Sequence, residues 1–196
     1  MSMATRLVAA LAAAMATAPA QAQTAPGAPP VATGRTEESA AMTGTAGRRG
    51  SEMATRQEFL RLAASSAMYE VETARLALER SQDARLRQYA QEMLDAHQPA
   101  IEELRRMVRD EGSLRGMQLS EELGEQHRTW LDQLRQAQGD SFRGLYVRQQ
   151  VQAHLIAVDM FRNYSQAGDD EALKRWAADR LPRLQDHLRK AQALDA

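Results

Sequence analysis

Four side chains in this 196-residue chain have the type and spacing to hold a metal ion: Glu70, His97, His154 and His187. Imidazole nitrogens suit Zn, Cu, Fe and Ni, and three of them with one carboxylate make a complete four-ligand set. Each of the four falls on an apolar stripe traced at steps of three and four. Glu70 lies among Phe59, Ala63, Ser66, Thr73 and Ala77. His97 follows Leu86, Ala90 and Met93 and precedes Ile101, Leu104 and Val108. His154 sits among Val147, Val151, Val158 and Phe161, and His187 among Leu184, Ala191 and Leu194. The plain alternative is a set of core residues, each hydrogen-bonded to a neighbour, in a metal-free interaction module.

These stripes require long helices, and the chain punctuates them clearly. Thr55 to Glu58 is a capping box opening a first helix that runs to Arg80. Ser81 or Asp83 caps a second, which stops at Gly112. Ser120 opens a shorter third ending near Gly139, Asp140 or Ser141 caps a fourth that stops at Gly168, and Asp169 starts a fifth reaching the C-terminus. Strand alternation is absent, so the fold class is all-α. Four long helices and one short one predict two long hairpins, with Met107 to Gly139 as the crossover between them.

Counting from the hairpin turns levels the four groups. At about 1.5 Å per residue, Glu70 and His97 differ in height by roughly 5 Å, and His154 and His187 by roughly 6 Å. One side chain from each long helix therefore converges on one level of the core. Pro99 and Pro182, each near a candidate histidine, predict kinks there. His127, on the short helix with Leu123, Trp130 and Leu134, is expected to be structural.

The rest of the chain narrows the chemistry. A di-iron carboxylate centre needs Glu-x-x-His on two helices, but Leu94 and Leu184 stand three before His97 and His187. An oxidative enzyme of that kind is disfavoured, and no reaction is implied. No Gly-rich phosphate loop or nucleophile elbow occurs. There are no cysteines, which excludes thiolate zinc sites and disulfides. With 25 basic and 26 acidic side chains and a net charge of −1, the chain carries no signature of nucleic-acid binding.

The N-terminal part reads as processing and spacing. Arg6, the apolar run Leu7 to Ala18 and small residues at Ala18 to Ala22 form a secretory signal peptide over residues 1–22. The run falls short of the about 20 residues that a membrane span needs. Residues 23–50, rich in Ala, Pro, Gly and Thr, are expected to be a disordered linker, and residues 51–196 the folded bundle. The protein is thus expected in the periplasm or secreted, with no membrane span.

Several segments, in order, resemble one exported bacterial family. They are Phe59-Leu60 with Ala63-Ala64, Met68-Tyr69-Glu70-Val71-Glu72, and Met93-Leu94-Asp95-Ala96-His97. They continue through Gly139-Asp140-Ser141-Phe142, Tyr146-Val147 with Val151-Gln152-Ala153-His154, and Leu181-Pro182 with His187-Leu188. From Met53 to Leu194 the chain is similar to domain of unknown function 4142, placed in the ferritin-like superfamily. The resemblance implies a ferritin-like four-helix bundle with a short extra helix in the crossover, and export. It implies no established activity. Glu70, His97, His154 and His187 occupy positions that look characteristic of that family. The chain departs from it at Ala96 and Arg143, where the family usually has Asp. The functional expectation is an exported bundle binding one transition-metal ion (Zn, Fe or Cu) through these side chains. The alternative is a metal-free periplasmic interaction or stress-related module.

Overall fold

A computed structural model describes residues 55–194 as five helices, with no strand among the described residues. The expected signal peptide and linker, residues 1–22 and 23–50, lie outside the described residues. No described helix is long and apolar enough to cross a membrane.

The first helix, α1, spans Arg56–Arg80. The Thr55 hydroxyl accepts from the Glu58 backbone N–H, which is half of the expected capping box. The Glu58 carboxylate turns instead to Arg61, at 2.6 Å. The second helix, α2, spans Ala84–Asp110, and the Asp83 carboxylate caps it by accepting from Arg85 and Leu86. It ends at Asp110, two residues before the expected glycine stop.

The third helix, α3, is shorter than expected, at Glu125–Gln136. Ser120 does not cap it, because its hydroxyl closes a local turn with Glu122. Gly124 occupies the cap position, and its N–H donates to the Ser65 hydroxyl at 2.8 Å. The fourth helix, α4, spans Gly139–Ala167, so the expected caps Asp140 and Ser141 lie inside it. Gly139 takes φ +53°, a left-handed conformation that glycine adopts without strain. The fifth helix, α5, spans Glu171–Leu194. Asp170, not Asp169, caps it by accepting from Ala172 and Leu173.

The helices pair as two hairpins, α1 with α2 and α4 with α5, joined through α1 against α4 and α2 against α5. Two apolar clusters show how they run. One gathers Phe59 of α1, Leu104 of α2, Phe161 of α4 and Leu173 of α5. The other gathers Ala77, Leu86, Phe142 and Leu194 from the opposite ends of the same helices. α2 and α4 therefore run parallel, so residues 111–138 must climb the full height of the bundle. One such crossover is the ferritin-like connection.

α3 anchors that crossover on α1 and α4. Ser65 bonds His127 Nδ1 at 2.7 Å, and Tyr69 stacks on the His127 ring at 4.9 Å. The Gln149 amide donates to the Trp130 carbonyl and accepts from the Tyr69 hydroxyl. α2 and α5 continue through Pro99 and Pro182, whose rings sit on the exposed face. Between the two apolar clusters lies the level of Glu70, His97, His154 and His187.

Candidate metal centre

Each of the four helices delivers its side chain to this level because the apolar stripe around it is buried. Phe59, Ala63 and Ala77 are buried on α1, and Leu86, Ala90, Met93 and Leu104 on α2. Val147, Val158 and Phe161 do the same on α4, and Leu184, Ala191 and Leu194 on α5. The polar residue interrupting each stripe is buried with it. Glu70, His154 and His187 are each 1% exposed and His97 is 7% exposed.

The three histidines form a triangle. Ring centroids lie 5.9 Å apart for His97 and His154, 5.5 Å for His97 and His187, and 5.5 Å for His154 and His187. One nitrogen from each ring lies within 4.8 Å of the other two. Metal–nitrogen bonds of about 2.0–2.1 Å cap the separation of two ligand atoms at roughly 4.2 Å. Ring rotations of roughly an ångström or less therefore suffice to gather the set.

Glu70 stands outside this cluster. Its Oε1 lies 3.7 Å from His154 Nδ1, the nitrogen that also contacts the Gln150 carbonyl at 3.0 Å. A proton on Nδ1 serves that carbonyl and leaves the His154 Nε2 lone pair free. A carboxylate behind a histidine is the common arrangement that orients a ligating ring. His187 has a similar neighbour, with its Nε2 3.8 Å from Glu92 Oε1.

Hydrogen bonding leaves this level unfinished. His97 Nε2, His154 Nε2, His187 Nδ1 and Glu70 Oε2 are buried without a partner. Each such atom costs about 1–3 kcal/mol when stranded. Each of the three rings thus keeps one buried, unpartnered nitrogen, and the rings bring ligand nitrogens within 4.8 Å of one another, which fits a transition-metal ion in donor type and placement.

Burial also sets the protonation states. It lowers His154 to about 3 and His187 to about 4. His97 is held well below its ordinary value by burial, and then by coupling to His154 and His187 and by the positive charges of Arg180 and Arg183. All three rings are therefore neutral at pH 7, the form that binds metal. Burial raises Glu70 to about 8, against an opposing hydrogen bond from Gln150.

Over residues 38–194 the sequence matches domain of unknown function DUF4142. The chain belongs to the DUF4142 family. The match begins upstream of the Met53 start at which the resemblance was placed. No curated protein matches the chain. Two solved structures share the fold. One is CopM in the Cu(II)-bound form, 18% identical, covering 72% of this chain and 95% of its own, with a TM-score of 0.60. The other is a DUF305 fragment from Deinococcus radiodurans, also 18% identical with a TM-score of 0.60, covering 72% of this chain and 97% of its own.

Neither departure from the DUF4142 pattern adds a carboxylate to the site. Ala96 lines a small cavity beside His97. Arg143 lies at the far end of the bundle, pairing with Asp83 at 3.1 Å and donating to the Leu194 carbonyl at 2.9 Å. Sequence reasoning missed Gln150, Glu92, Arg180 and Arg183. Arg180 and Arg183 precede His187 by seven and four residues, so helical spacing alone puts them on its face. Gln150 precedes His154 by four, the position whose carbonyl a helical side chain can reach.

Proposed function

We propose that this DUF4142 protein binds one transition-metal ion in its bundle core, through His97, His154 and His187, with Glu70 orienting His154. The observation that carries this is three neutral, buried rings, each with an unpartnered nitrogen, that offer ligand nitrogens within 4.8 Å of one another. The donor set suits Cu, Zn or Fe, and the Cu(II)-bound state of the similarly folded CopM favours trying copper first. With the signal-like segment at residues 1–22, the role is metal holding or buffering outside the cytoplasm. In a metal-free interaction module His97 Nε2, His154 Nε2 and His187 Nδ1 would be expected to pair within the core, and none of the three does.

A ligand that binds the folded chain raises its melting temperature by mass action. Added Cu(II) or Zn(II) should therefore raise Tm, and His154→Leu should abolish that rise. An equal rise in the variant would refute the centre.

A further inference from the structure

A cavity of about 30 Å³ opens against His97 and His187. Its walls are made short by Ala63 and Ala67 of α1 and by Ala96 and Ala100 of α2. Protein interiors seldom leave voids larger than a water molecule. This one holds about two waters, or one molecule of two or three heavy atoms.

The charge of the lining has one sign. Arg180 and Arg183 contribute to it, and no carboxylate does. Arg180 pairs with Glu103 and lies over the Trp176 ring at 5.5 Å. Arg183 is exposed and has no ion-pair partner among the described residues. Three neutral imidazoles add no charge to a divalent ion and leave one coordination position open, and a single ionised Glu70 offsets only half of the ion's charge. Cationic groups at the mouth of such a cleft raise the local concentration of anions.

We propose that this cavity admits and holds a small monoanion of two or three heavy atoms, which takes the position left open by His97, His154 and His187. The inference rests on the metal centre proposed above. Neutral small molecules fit the volume equally well, and the charge of the lining selects against them.

The test uses the full chain loaded with Cu(II) and titrated with azide, followed by the azide-to-copper charge-transfer absorption. One azide per copper should bind with saturation. Arg183→Ala should keep copper and weaken azide binding about two- to fivefold at low salt. Ala100→Leu should fill the cavity, keep copper and weaken azide more than tenfold. A copper-loaded chain that ignores azide, or wild-type azide affinity in both variants, overturns the anion site and leaves the metal centre standing. A chain that takes up no Cu(II) overturns both. If Ala100→Leu does not fold, the exposed Arg183→Ala variant decides.

Discussion

Glu70 Oε1 lies 3.7 Å from Nδ1 of His154, the nitrogen that the Gln150 carbonyl also contacts at 3.0 Å. The Gln150 carbonyl takes the Nδ1 proton, so an ionised Glu70 at that distance acts on the ring through its charge and raises the basicity of its other nitrogen. Losing such a group costs about 10–100-fold in metal affinity. Glu70→Gln should show that loss in a competition titration, with little change in the stability of the metal-free chain. Unchanged affinity would mean that Glu70 plays no part in the centre.

Metal uptake at pH 7 should release about one proton. The three histidines are already neutral, so they contribute none. Glu70, held at about 8 by burial, is protonated in the metal-free protein and ionises when a cation arrives nearby. Calorimetry in buffers of different ionisation enthalpy counts the protons. Glu70→Gln should release none, whereas release of two or three protons would mean that the histidines begin charged.

The metal-free protein should be most stable near pH 7. His154 and His187 sit at about 3 and 4, against an ordinary 6.5, and His97 is also lowered. Between those values and 6.5 the unfolded chain binds more protons at these sites, so stability rises with pH. Glu70 acts oppositely. Between its ordinary 4.5 and about 8 the folded chain keeps a proton that the unfolded chain loses, so stability falls as pH rises. His127, lowered to about 4 by burial, adds to the histidines; together they outweigh the one carboxyl up to about pH 7, and Glu70 dominates above it. Urea midpoints in chelator from pH 4.5 to 8.5 should pass through a maximum, and a steady rise to pH 8 would contradict these assignments.

The turn between α4 and α5 depends on a close approach. A Cβ on Gly168 would lie 2.6 Å from the Tyr164 ring. That ring is fixed, stacked on Phe59 at 3.9 Å and donating its hydroxyl to Asp169. Gly168→Ala should cost about 1–3 kcal/mol in denaturant unfolding, as other overpacking substitutions do. Gly112→Ala, where a Cβ meets nothing within 4 Å, serves as the control and should be near neutral.

The helices, the hairpins and the crossover were legible because the stripes around Glu70, His97, His154 and His187 repeat over long stretches with clear stops. The caps at Thr55 and Asp83 were legible for the same local reason. The start of α3 was not. Ser120 bonds Glu122, and Gly124 is held by Ser65 from α1, a tertiary contact that overrides local capping preference. At the site, helical spacing brought the three histidines to one level. It does not reveal that Glu70 faces the back of His154, because that depends on side-chain direction across two helices. The cavity was hidden for a related reason: four alanines on two helices define a void only once those helices face each other.

Whether the core binds a metal is decided by the metal content of the full chain, purified without a His tag and exposed to Cu(II), Zn(II) or Fe(II) before excess is removed. About one equivalent of one of these metals per chain should be held, and lost in His97→Leu. A wild-type chain that holds no metal, or a His97→Leu variant that holds as much as wild type, would contradict the proposed centre.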